Sequence, residues 1–279
     1  MDTKEIQALV SLLDDEDTEV LAHVEKKIIS LGNMIIPFLE SEWENSFHPH
    51  VQKRIEDLIH TLQYEALKDN LEDWRIKESN KLLKGVWLIA TYQYPDLEYN
   101  QLKKDIDKIY QEVWMSHRAH ASPHDQIKNL NNVFFSKLKF ASNTQNFHSP
   151  SNSMLNIVLE SRKGNPISLC VLYMLVAKKL KLPVYGVNLP NLFVLTYKSD
   201  DTQFYINVFN KGLIFSRSDI DSYLQQLKLK PLNQFYEPCS HLEIVQRIFR
   251  NLILSFEKLG EVEKVQELKV LLEVISDKG

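Results

Sequence analysis

The chain has 279 residues, 44% hydrophobic and 25% charged, the balance of a soluble globular protein with room for about two domains and not of a disordered one. A formal net charge of −4 with a pI near 6.2 offers no general attraction to nucleic acid, so Lys178-Lys179 and Lys228-Leu229-Lys230 read as solvated helix ends. Two cysteines exclude a disulfide framework, the charged start MDTKEIQALV lacks the apolar stretch of a signal peptide, and the longest apolar run, Leu169 to Ala177, is far too short to span a bilayer. A cytoplasmic protein away from membranes is expected. Only seven glycines favour helix over a loop-rich β fold.

Near the start, VLAHVEKKIISL from Val20 and VQKRIEDLIHTL from Val51 align without gaps, so that Val20, Val24, Ile28 and Leu31 match Val51, Ile55, Ile59 and Leu62. One apolar stripe at helical spacing is written twice. Between the copies NMIIPFLESEWE reads as another helix, broken or bent at Pro37. Paired helices recurring at this period predict a short α-solenoid over residues 1–66. With the acidic turn LDDEDTEV between helices, the layout resembles HEAT repeats. In that turn Asp17 before Thr18 reads as a helix cap, favoured by the dipole, and the glycine and distal glutamate of a calcium loop are missing.

From Glu78 to about Trp114 two amphipathic helices are split around Pro95. Another starts at SPHDQIKNLNNVFF, where Ser122, Pro123 and Asp125 supply cap, first-turn proline and capping-box acid. A polar loop, ASNTQNFHSPSNS, precedes the short helix MLNIVLESR. The central helix starts with Asn165 as cap and Pro166 as first residue, and its apolar run marks it as buried on nearly every side. Then the period changes. VYGVNL, LFVLTY, FYINVF and LIF, separated by Pro190-Asn191, Ser199-Asp200-Asp201 and Asn210-Lys211-Gly212, predict a small antiparallel sheet packed on that helix. A capped helix follows from about Ser218, and two helices, His241 to Leu259 and Glu261 to Ile275, close the chain around Gly260 like one tetratricopeptide hairpin. The class is α+β, predominantly helical.

Four stretches, SPSNSMLNIVLESRKGNPISL, LPVYGVNLPNLF, YINVFNKG and RIFRNLILSFEKLGEVEKV, carry a family likeness. From about Leu67 onward the chain resembles the SirB-one family of transglutaminase-like proteins, within the papain-like cysteine protease superfamily. The resemblance implies a transglutaminase-like core over 67–235 and a tetratricopeptide-like hairpin over 236–279. Enzymes of the wider group use a cysteine at a helix N-terminus, held as thiolate by the dipole and a neighbouring imidazole, with the histidine and its orienting acid on adjacent strands. Counting back from Pro183, the nucleophile slot implied by the resemblance holds Pro166. Where relatives read Pro-Gly-His-Phe this chain has Pro190-Asn191-Leu192-Phe193, so the base slot holds Leu192. Where they read Ile-Asp-Pro-Phe it has Ile206-Asn207-Val208-Phe209, so the acid slot holds Asn207. Losing nucleophile or base alone removes about six orders of magnitude from turnover in a triad hydrolase. A non-catalytic domain serving as a scaffold or a protein- or peptide-binding module is therefore expected, with no cofactor.

Two alternatives rest on other residues. Cys170, one turn after Pro166, supports a divergent hydrolase or acyl-transferase with His148 as its base, although its neighbours Leu169, Val171, Tyr173 and Met174 predict a buried, inert thiol. His117, His120 and His124 form a possible zinc group, since i and i+3 share a helix face, but the break at Ser122-Pro123 separates the third from the first two. Cys239 and His241 alone are too few for a metal site, and Ser240 reads as a cap.

Overall fold

A computed structural model describes residues 3–15 and 17–276. The chain divides into two compact units, Met1–Glu72 and Asp73–Gly279. In the first, α1 (Thr3–Ser11), α2 (Thr18–Leu31), α3 (Ile36–Asn45) and the start of α4 (Pro49–Lys77) enclose a core of Ile6, Val10, Leu13, Val24, Ile28, Ile35, Leu39, Val51, Ile55, Leu58 and Leu62. Each fully buried isoleucine or leucine there contributes about 1.5–3 kcal/mol. Asp17 caps α2, its Oδ1 accepting from the amides of Glu19 and Val20 at 2.8 and 3.4 Å, while Glu16 of the acidic turn lies outside the described residues. Pro37 falls in the first turn of α3, where its missing N–H costs no hydrogen bond, so it marks a start and not a kink. The aligned stripe needs one correction. Val20 is exposed and Leu21 is buried, and in α4 Leu58 is more deeply buried than Ile59. A row of residues four apart slants around a helix of 3.6 residues per turn, so the buried face shifts to a neighbouring position. Helix α4 is unbroken through residue 66.

In the second unit α5 (Leu82–Thr91) and α6 (Tyr99–Trp114) lead into α7 (Pro123–Asn131), which the Ser122 cap and Pro123 start as expected. A π turn, Asn132–Lys137, prolongs it. The loop that follows contains β1 (Ala141–Ser142), paired in parallel with β2 (Lys163–Gly164), and a 3-10 turn at Pro150–Ser153 before α8 (Leu155–Ser161). Then come α9 (Pro166–Lys179) and a sheet in the order β3 (Val184–Leu189), β4 (Leu192–Lys198), β5 (Gln203–Asn207), β6 (Leu213–Phe215), antiparallel throughout. The β3–β4 turn is Pro190 with Asn191 at φ 56°, a backbone region that asparagine tolerates. The fold is α+β and predominantly helical, with a central helix packed on the sheet.

The sheet is covered on both faces, not on one. Helix α9 packs against β3 and β4. On the opposite face Val187, Leu189, Val194 and Tyr205 meet Ile220 and Leu224 of α10 (Arg217–Gln226) and Tyr236. That is why β4 is buried at every position from Phe193 to Tyr197 and lacks the alternation of a half-wet strand. A clasp ties the unit together: Asn131 donates from Nδ2 to the Gly212 carbonyl at 2.8 Å and accepts the Tyr173 hydroxyl on Oδ1 at 2.9 Å. A Cβ on Gly212 would lie 2.1 Å from that same oxygen, and the residue sits at φ 74°, so only glycine fits.

The chain closes with α11 (His241–Leu259) and α12 (Val262–Val274). A Ser240–Glu243 capping box starts the first, and Gly260 at φ 77° separates the two. Among the described residues no helix is long and apolar enough to cross a membrane.

Candidate functional site at the start of helix α9

The start of α9 is fixed by a buried polar knot. Asn165 accepts from the Ser168 amide on Oδ1 at 2.9 Å, Ser168 Oγ accepts from the Asn165 amide at 3.1 Å, and Asn165 Nδ2 donates to Ser153 Oγ at 2.9 Å. A Cβ on Gly164 would lie 2.6 Å from Ser168 Oγ, so the glycine makes room for the hydroxyl to fold back. Pro166 then occupies the first turn and faces an open cleft of about 490 Å³.

Three other elements complete the cleft. The loop carrying Phe147 and His148 is shaped by Asn152, whose Nδ2 donates to the carbonyls of Asn146 and Phe147 at 2.6 and 3.1 Å. The β3–β4 hairpin supplies Asn188, Leu189, Pro190, Asn191 and Phe193. Helix α11 supplies Arg247, Arg250, Asn251, Leu254 and Ser255, one face at i, i+3 and i+4 spacing. Arg247 is anchored: its Nη1 donates to Asn188 Oδ1 at 2.8 Å and to the Leu189 carbonyl at 2.9 Å, and its guanidinium lies 5.6 Å from the Phe193 ring centre. Burial lowers its pKa from the ordinary value, and the positive charge of Arg250 adds to the effect.

The cleft gathers some of the expected residues and not others. Pro166 and His148 line it. Cys170 does not: its side chain is fully buried, its thiol faces the Phe193 carbonyl at 3.7 Å, and burial raises its pKa far above the ordinary thiol value. His148 is exposed and its Nε2 accepts from Lys258 Nζ at 2.6 Å, which occupies the lone pair a general base would use. Leu192 packs against the cluster on the α10 face of the sheet. Because neighbouring strand residues point to opposite faces, the β4 residue presented to the cleft is Phe193. Asn207 closes the 3-10 turn Val208–Asn210, accepting from the Asn210 amide at 3.1 Å. Of the three slots drawn from the resemblance, Pro166 lines the cleft and Leu192 and Asn207 do not.

The histidine group is corrected in its local structure. Helix α6 ends at Trp114, so His117 and His120 share no helix face, and His124 lies in the first turn of α7 stacked on Phe204 with ring centres 4.2 Å apart. Ser116 folds back onto the Val113 carbonyl within the turn that follows the helix. Among the described residues no three His, Cys, Asp or Glu side chains come together as a ligand group. Cys239 hydrogen-bonds through its backbone amide to Gly186, and burial, with Glu243 nearby, pushes its thiol up to about 12. The sequence reading did not single out Arg247 and Arg250, which line the cleft. Their three-residue spacing within RIFRNL, followed by Asn251, was the available signal.

The profile of the transglutaminase-like superfamily matches residues 100–250, from α6 to the middle of α11, and takes in the lining of the cleft except Asn251, Leu254 and Ser255. The chain belongs to the transglutaminase-like superfamily. It is 32% identical over 187 residues to a UPF0162 protein of Xylella fastidiosa, covering 63% of this chain and 64% of the relative. A UPF0162 protein of Pseudomonas aeruginosa is 24% identical over 189 residues, covering 68% and 70%. Human F-box only protein 21 is 22% identical over 249 residues, covering 78% of this chain and 39% of the relative. The chain thus spans a little under two thirds of the length of the Xylella relative. No solved structure matches it.

Proposed function

We propose that this chain is a non-catalytic transglutaminase-like protein of SirB-one type, acting as a scaffold or module that binds a protein or peptide segment in the cleft above Pro166. In this reading residues 1–66 are a HEAT-like repeat, 67–235 the transglutaminase-like domain and 236–279 a tetratricopeptide-like hairpin. The protein works in the cytoplasm, without a cofactor and without nucleic acid. The observation that carries the reading is the start of α9, where proline stands at the position facing the cleft and the thiol one turn on is sealed. Proline has no nucleophilic atom, and a thiol held protonated by burial neither attacks an acyl group nor meets one.

The test is thiol labelling joined to turnover. Folded protein treated with iodoacetamide at neutral pH should leave Cys170 unmodified by mass spectrometry until denaturant is added. Fluorogenic peptide amides and p-nitrophenyl esters should be hydrolysed no faster than in buffer. Rapid labelling of Cys170, with a hydrolysis rate abolished by Cys170→Ser, would replace this reading with a cysteine hydrolase or acyl-transferase.

A further inference from the structure

The cleft above Pro166 carries a charge at odds with the chain around it. The protein is net acidic, yet among the described residues the cleft wall holds two arginines and one histidine and no aspartate or glutamate. The nearby carboxylates of α11 are engaged elsewhere: Glu243 caps Ser240 and Glu257 pairs with Lys269. Arg250 makes no hydrogen bond or ion pair among the described residues. Arg247 commits only Nη1, and Nε and Nη2 meet no protein acceptor among those residues. Two guanidiniums one turn apart on a helix repel each other, and the half-buried one has also lost hydration. An anion lying between them relieves both penalties, and a carboxylate matches the guanidinium fork in shape as well as charge.

The rest of the wall selects among anions. Phe147 and Leu254 expose 44% and 47% of their surface beside the arginines, an apolar contact that a free inorganic ion would leave wet. Asn191 and Asn251 also line the cleft, and an amide side chain offers both a donor and an acceptor to a peptide group. A nucleic acid needs a run of phosphate contacts, and a cleft with two arginines on an acidic protein supplies no such track.

We infer that the cleft receives a carboxylate-bearing peptide segment, with Arg247 and Arg250 holding the carboxylate and Phe147 and Leu254 covering a neighbouring apolar side chain. This inference rests on the binding reading above and specifies its ligand. The carboxylate comes from an aspartate or glutamate side chain or from a peptide C-terminus, and the chemistry at the arginines is the same.

A randomised hexapeptide array, half amidated and half with free C-termini, probed with the labelled full chain, tests it. Bound sequences should be enriched in Asp or Glu beside Leu, Phe or Met, or confined to the free-acid half. The first outcome assigns the side-chain carboxylate and the second the terminal one. Arg250→Glu, at an exposed helix position that leaves the fold intact by circular dichroism, should weaken those spots at least about tenfold and favour Lys or Arg instead. Enrichment in neutral or basic sequences, or an Arg250→Glu pattern identical to the parent, would overturn the inference while leaving the binding reading in place. A 12-residue oligothymidylate that displaces the best acidic peptide at lower concentration than the peptide itself would overturn it too. An array with no bound sequence sinks both readings, and cleavage of bound peptides sinks the binding reading.

Discussion

Pro166 and Cys170 sit one turn apart on the same helix, and they differ in opposite ways from what thiol chemistry requires. Pro166 has the right place, at the mouth of an open cleft and at the positive end of α9, with no reactive atom. Cys170 has the right atom in the wrong place, fully buried and facing a backbone carbonyl. The difference teaches that reach and solvation decide whether a cysteine is a nucleophile, and that presence in the right segment of sequence does not. In the reading proposed above, a catalytic architecture persists as a binding architecture. The capping knot that would orient a nucleophile still holds the start of the helix rigid, and what it now presents to the cleft is an apolar surface beside two arginines.

The sharpest way to probe this contrast is to move the thiol. Pro166→Cys places a sulfur where the helix dipole favours thiolate, and it should react with iodoacetamide at neutral pH faster than Cys170 by at least about three orders of magnitude. Turnover should stay at background, because among the described residues none with a free basic lone pair lines the cleft, His148 Nε2 being taken by Lys258. Equal labelling of the two thiols would erase the distinction. A smaller effect is expected from Asn165→Ala, which removes the cap and leaves the buried Ser153 hydroxyl and Ser168 amide without their partner. Chemical unfolding should show a loss of about 2 kcal/mol. Cys170→Ser should cost least, about 1 kcal/mol, since the hydroxyl keeps a donor toward the Phe193 carbonyl while losing an apolar packing group. Raising the pH to 9 should leave Cys170 unlabelled in the native state, because its thiolate forms only well above the ordinary thiol range. Labelling that climbs through pH 9 would mean that this region opens.

Much of the frame was legible in the chain itself. Asn165-Pro166 before an apolar run announced both the start and the burial of α9, because cap chemistry is local and needs no distant partner. The β-branched and aromatic runs announced the sheet for the same reason. The two-residue ladder between β1 and β2 had no such signal, since a pair this short forms only when the rest of the unit has brought the segments together. The cleft was hidden for a different reason. Arg247 and Arg250 read as an ordinary wet face of α11, and only the hairpin and the Phe147 loop, set by Asn152 from a separate stretch of chain, turn that face into a wall. The Leu192 slot shows the limit of aligning motifs: the pleat sends that side chain to the α10 face, and one residue of register decides what the cleft meets.

The Asn131 clasp has a consequence for how the molecule comes apart. Its two bonds close over 42 and 81 residues, to Tyr173 and Gly212. Bringing such distant segments together costs chain entropy that neighbouring helical turns do not face, so the clasp is expected to engage late, after the climb to the folding barrier, which folding and unfolding rates of Asn131→Ala would check. An interaction made on that side of the barrier leaves the speed of assembly nearly untouched and lengthens the lifetime of the finished state. Asn131 is in that sense a latch: its loss shortens how long the domain stays shut more than it hinders the domain from closing.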